Sequence, residues 1–99
     1  MSYFASDLTR DLTRVIARAT RYGSTTVYTD LGTIATAINE PTTAATDRTE
    51  AQPPAALDQA IVSNVWHYRK ACALVNKCWS SGETKANVLN AIAGLLPPS

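Results

Sequence analysis

An all-α domain is the fold class this sequence predicts, and three observations carry that expectation. Large apolar residues recur at helical spacing in four separate stretches. Only one short segment is rich in strand-forming residues, and a lone strand has no partner inside a monomer. Residues 40–56 contain no Val, Ile, Leu, Met, Phe, Tyr or Trp, so nothing there can anchor a sheet or a core helix. The expected architecture is one helical domain over residues 1–99. It has helices at about 6–22, 30–39, 55–80 and 84–96, a Thr/Ala/Pro-rich loop at 40–56, and an extended segment at 24–29.

In the first helix, Leu8, Leu12, Val15, Ile16 and Ala19 fall on one face. Ser6 suits the N-cap, Asp7 and Asp11 suit the positive end of the helix dipole, and Gly23 suits the stop. Residues 24–29 (Ser-Thr-Thr-Val-Tyr-Thr) favour an extended chain, as coil or as a strand paired with another molecule. The second helix sets Leu31, Ile34, Ala35 and Ile38 on one face, with Thr29 able to cap it and Pro41 beyond its end. Its Gly32 and its β-branched residues make it weak by propensity, so tertiary contacts must hold it.

The third stretch, residues 55–80, holds neither Gly nor Pro, and Pro54 stands at a favoured first helical position. Leu57, Ile61, Val65, Tyr68, Cys72, Val75 and Trp79 form one helical seam along it. The competing reading breaks the helix near Tyr68 and makes residues 71–77 a strand. Ser80, Ser81 and Gly82 form a turn. The last helix carries Val88, Leu89, Ile92, Leu95 and Leu96, and Pro97 and Pro98 end it.

The core is thin. The hydrophobic fraction is 45%, but 16 of those residues are Ala, and only 27 residues are large and apolar or aromatic. Small domains with few large side chains are marginally stable. The formal charge of +1 is an average: residues 1–22 carry +2, residues 23–60 carry −4, and residues 61–99 carry +3. That balance argues against a strongly basic histone-like protein and against an acidic DNA mimic. No apolar run reaches the roughly 20 residues a membrane span needs. The N-terminal residues lack the basic and apolar regions of a secretory signal. With two cysteines, an intracellular, cytoplasmic setting is the expectation.

Chemistry-bearing motifs are scarce. His67, Cys72 and Cys78 are the soft metal ligands, and their spacing matches no zinc pattern, so no metal is expected. On one helix the two cysteines stand about 9 Å apart along the axis, too far for a disulfide. They read as small buried hydrophobes. No phosphate loop, nucleophile elbow or paired-acid motif occurs, so neither enzymatic activity nor a cofactor is expected.

Two cationic faces stand out instead. Arg10, Arg14, Arg18 and Arg21 lie within about 80° of one another on the first helix, opposite its apolar face. Asp7 and Asp11 can pair with Arg10 and Arg14, which leaves Arg18 and Arg21 for phosphate or an acidic partner. On the third helix Trp66, Lys70, Ala73 and Lys77 share the face opposite the seam, with His67 and Arg69 flanking. Trp66 is then either covered by a neighbouring element or exposed as a contact for protein or single-stranded nucleic acid.

Residues 34–39 followed by residues 41–46 resemble the helix, turn and recognition helix of DNA-binding repressors. Ala35 stands where that pattern wants a small residue, and Asn39 where it wants Gly. Glu40 and Arg48 occupy positions that are normally apolar, and the segment is acidic where a DNA-facing helix is basic.

The reading favoured by these residues is a non-enzymatic protein–protein interaction or assembly module. It acts through helical faces and is oligomeric, in the manner of small virus- or phage-type structural or inhibitor proteins. Trp66, Lys70, Lys77, Arg69, Arg10, Arg14, Arg18 and Arg21 are its partner-binding residues. Should the assembly enclose nucleic acid, the Arg and Lys faces meet phosphate. The alternative is a helix-turn-helix regulator that uses residues 30–50.

Overall fold

A computed structural model describes residues 2–39, 57 and 62–98. Within them the chain forms four helices: α1 (Ala5–Arg21), α2 (Val27–Asn39), α3 (Trp66–Ser80) and α4 (Lys85–Ala93). The class is all-α, and no strand occurs among the described residues. The expected loop at 40–56 lies outside the described residues, as do residues 40–50 of the helix-turn-helix reading.

α1 buries Leu8, Leu12, Val15 and Ala19, the face its sequence spacing sets. It starts one residue before the expected cap. Phe4 is the N-cap, and its N–H donates to Asp7 Oδ2 at 2.9 Å. Phe4 has no side-chain acceptor to return the bond, so only half a capping box forms. At the other end Gly23 has φ of +83°. The Ser24 N–H reaches back to the Ala19 carbonyl at 2.9 Å, and the Gly23 N–H to that of Thr20 at 3.0 Å. This is a Schellman stop, which needs the left-handed residue that glycine supplies.

The extended segment expected at 24–29 is not extended past Thr26. Helix α2 begins at Val27, so Val27, Tyr28 and Thr29 are helical. The reason lies in the period. Val27 stands four residues before Leu31, and Val27, Leu31, Ile34 and Ile38 are all buried on one face. Burial of that face overrides the β-propensity of the first turn. With it goes the argument for strand pairing between copies.

The long helix expected over 55–80 is also corrected. Helix α3 starts at Trp66, and Val65 before it is extended, with φ −89° and ψ 109°. Ser63 Oγ accepts the Val65 N–H at 3.2 Å, a local turn that competes with helix. Val62 and Val65 are 76% and 45% exposed, so Val65 is not a seam residue. Leu57 does reach the core, at 1% exposure, but not as part of α3. The strand alternative for residues 71–77 is overturned, because they lie within α3.

α3 ends as α1 does. Gly82 has φ of +89°, with the Glu83 N–H bonded to the Cys78 carbonyl at 3.0 Å and the Gly82 N–H to that of Trp79 at 3.0 Å. Thr84 then caps α4, its side chain accepting from the Asn87 N–H at 3.2 Å. α4 is shorter than expected. It stops at Ala93, and Leu95 and Leu96 follow in single turns while still packing on the core.

α1 packs against all three other helices. The core joins Leu8, Leu12 and Val15 to Leu31, Ile34 and Ile38, to Cys72, Val75 and Trp79, and to Val88 and Ile92. Two contributors carried no periodic signal. Tyr3, ahead of α1, is buried in the same cluster. Glu83 is a buried carboxylate in the turn between α3 and α4, at 7% exposure.

Candidate functional site

The packing of α1 against α3 brings the two cationic faces together. Asp11, Arg14, Val15 and Arg18 of α1, with Trp66, Lys70, Leu74 and Lys77 of α3, line an open groove of about 480 Å³. Arg14 and Arg18 are one turn apart on one wall. Lys70 and Lys77 are two turns apart on the other, so the α3 wall runs about 16 Å from Trp66 to Lys77.

Trp66 is not exposed as a bare ring. It is partly buried and packs on the core. The Arg18 guanidinium lies 5.2 Å from its ring centre, a cation–π distance. His67 packs T-shaped against the same ring, with centroids 5.6 Å apart. At the other end of that wall, Lys77 Nζ lies 4.8 Å from the ring centre of Tyr3.

Asp11 is the one acid of the groove, and it is already engaged. Its Oδ2 accepts the Tyr3 hydroxyl at 2.7 Å, and its Oδ1 accepts Arg10 Nε at 3.1 Å. Arg14 Nη1 stands 3.7 Å away. The bond from Arg10, then that from Tyr3, holds the Asp11 carboxyl below the usual range. Burial, reinforced by the bonded Asp11 carboxylate, pushes the Tyr3 phenol up. By contrast, Arg18, Lys70 and Lys77 form no ion pair among the described residues. Among the described residues the groove therefore carries excess positive charge.

Of the eight residues expected to bind a partner, Trp66, Lys70, Lys77, Arg14 and Arg18 meet in this groove. Arg10 stands beside it, held by Asp7 at 3.2 Å and Asp11 at 3.1 Å. Arg69 is turned away, its Nη1 donating to the Ser63 carbonyl at 3.2 Å. Arg21 is exposed and does not line the groove. Sequence reasoning missed Asp11, Val15 and Leu74 as groove residues, and Tyr3 as the neighbour of Lys77 and Asp11. Tyr3 precedes the first helical period, and no spacing rule connects it to a residue of another helix.

A second polar cluster lies behind Trp66. His67, at 5% exposure, sets Nε2 2.7 Å from Asp30 Oδ2, 3.3 Å from Thr26 Oγ1 and 3.5 Å from Ser24 Oγ. The Asp30 contact is a close ion-pair distance rather than an aligned hydrogen bond. A Ser, a His and an Asp thus meet, but they do not form a relay. The acid and both hydroxyls approach the same ring nitrogen, whereas a relay needs the acid on one nitrogen and the nucleophile on the other. This cluster ties the start of α2 to the start of α3.

Cys72 and Cys78 are free and buried. Burial pushes both thiols up, that of Cys78 to about 12. No group of three or more His, Cys, Asp or Glu able to hold a metal ion occurs among the described residues. No helix among them is long and apolar enough to cross a membrane. Comparison with protein-family models, curated proteins and solved structures finds no match for this chain.

Proposed function

We propose that this protein is a non-enzymatic interaction module that docks an anionic macromolecular partner in the groove between α1 and α3. The observation that supports the reading most is the meeting of Arg14, Arg18, Lys70 and Lys77 around Trp66, with Asp11 as the only acid among them. Two helical faces, far apart in sequence, contribute cations to one place. Like charges brought together repel, so a surface that gathers them is stabilised when an anion fills it.

Light scattering at low ionic strength tests the reading. The chain is mixed in turn with poly-L-glutamate and with oligodeoxythymidylate, and its mass is also read alone. The wild-type protein is expected to gain mass with at least one anionic polymer, and the double variant R18E/K70E to gain none. The reading is overturned if the wild type keeps its free mass with both polymers, or if the double variant binds as well as the wild type. A free mass above 10.6 kDa that falls in R18E/K70E would make a second copy the partner.

A further inference from the structure

The rings beneath the groove's cations point to the chemistry of the partner, and this step rests on the docking role just proposed. We infer that the occupant is a carboxylate-rich polypeptide segment of another protein.

Single-stranded nucleic acid is held by bases stacked on open aromatic faces, together with cations along the backbone. Here the rings are committed to the cations. Arg18 lies over Trp66 at 5.2 Å, and the ring packs on the core and against His67. Tyr3 is buried, and Lys77 lies over it at 4.8 Å. Each ring already carries a cation. What the rings do is hold the cations in place. A guanidinium stacked on indole keeps its planar fork available at its edge, and that fork matches a carboxylate with two parallel hydrogen bonds.

The layout fits a side-chain-bearing chain. Cations on both walls, along about 16 Å of α3, suit carboxylates projecting to two sides of one peptide segment. Among the described residues of this chain the carboxylates are already engaged: Asp7 and Asp11 by Arg10, Asp30 by His67, and Glu83 by Ala5, Thr84 and Asn87.

Fluorescence anisotropy tests this with two labelled probes of equal formal charge, a glutamate-rich peptide and an oligodeoxythymidylate. The peptide is expected to bind at least about tenfold more tightly. Arg18→Ala is expected to weaken it roughly tenfold, the loss of one charge-assisted contact. Arg18→Lys keeps the charge but loses the fork, and is expected to fall between the two. Arg18 is exposed, so these variants leave the core intact. Equal or tighter binding of the oligonucleotide overturns the inference while leaving the docking role standing. Peptide binding indifferent to Arg18→Ala also overturns it. Binding of neither probe overturns both.

Discussion

Glu83 shows how much one side chain can organise. Its Oε2 accepts the Ala5 N–H at 2.7 Å, and its Oε1 accepts the Thr84 N–H at 2.8 Å and Asn87 Nδ2 at 3.0 Å. Burial pushes its carboxyl up, but these three bonds together outweigh burial and hold it below the usual glutamate range. A depressed folded value stabilises the fold above the unfolded value, and that stability is lost as pH falls through the folded one. Urea unfolding is therefore expected to weaken from about pH 4.5 downward, and to weaken less in Glu83→Gln. Near neutral pH, Glu83→Ala is expected to cost about 2 kcal/mol, because it strands donors in a buried turn. The thiols offer a second check at this scale. Burial raises both above their ordinary value, so a thiol-reactive dye at mild alkaline pH is expected to label native protein far more slowly than unfolded protein. Fast native labelling would contradict the buried positions. The buried thiols were legible from the chain as a string, but the role of Glu83 was not. Glu83 reads as an acid near a helix start, and its burial depends on Ala5, a residue 78 positions away.

The helices share a way of ending. Gly23 and Gly82 each close a Schellman turn at positive φ, and neither has an atom within 4 Å of where a Cβ would stand. Gly23→Ala and Gly82→Ala are thus expected to lose about 1 kcal/mol each from backbone strain alone, measured by chemical denaturation. Gly23 was readable as a stop because the apolar period of α1 runs out just before it. The start of α3 was not readable. The apolar seam runs through Leu57, Ile61 and Val65 without a slip, yet Val65 is half exposed and Ser63 takes its N–H. Periodicity says which residues would share a face if the helix ran on; it does not say that the backbone does so. The break has a mutational signature. Leu57→Ala is expected to cost about 3 kcal/mol, as a buried side chain lost from the core. Val65→Ala is expected to change stability by less than about 0.5 kcal/mol, because Val65 is 45% exposed. One continuous seam helix would bury Val65 with Leu57 and make both changes costly. The second helix failed in the opposite direction, since its β-branched start was read by residue type when Val27 belonged to the Leu31 face.

At the scale of the molecule, the arrangement of charge matters more than its sum. The near-neutral total hides a positive groove built from two segments, residues 14–18 and 66–77. Each cationic stripe was legible along its own helix. Their meeting was not, because it depends on how α1 and α3 turn toward each other when they pack. The same packing covers Trp66 with Arg18, and so changes the ring from a contact surface into a support. Because the groove is open to solvent, anion binding there is expected to weaken steeply as salt is raised, and to weaken less steeply in Lys70→Ala. A binding curve indifferent to salt would mean that the cations are not what holds the partner.

The clasp at the N-terminus bears on the order in which the protein takes shape. The Tyr3 N–H is bonded to Ser81 Oγ at 3.0 Å, and the Ala5 N–H to Glu83, each across 78 residues. During synthesis the first segment emerges long before either partner exists. The opening turn of α1 must wait, with its leading donors in water, until the segment after α3 leaves the ribosome. Closing so long a span carries an entropic penalty that only the finished core can offset. A chain halted before residue 81 is therefore expected to lack protection at Tyr3 and Ala5 in hydrogen exchange, and the completed chain to gain it in one step with the packing of α3.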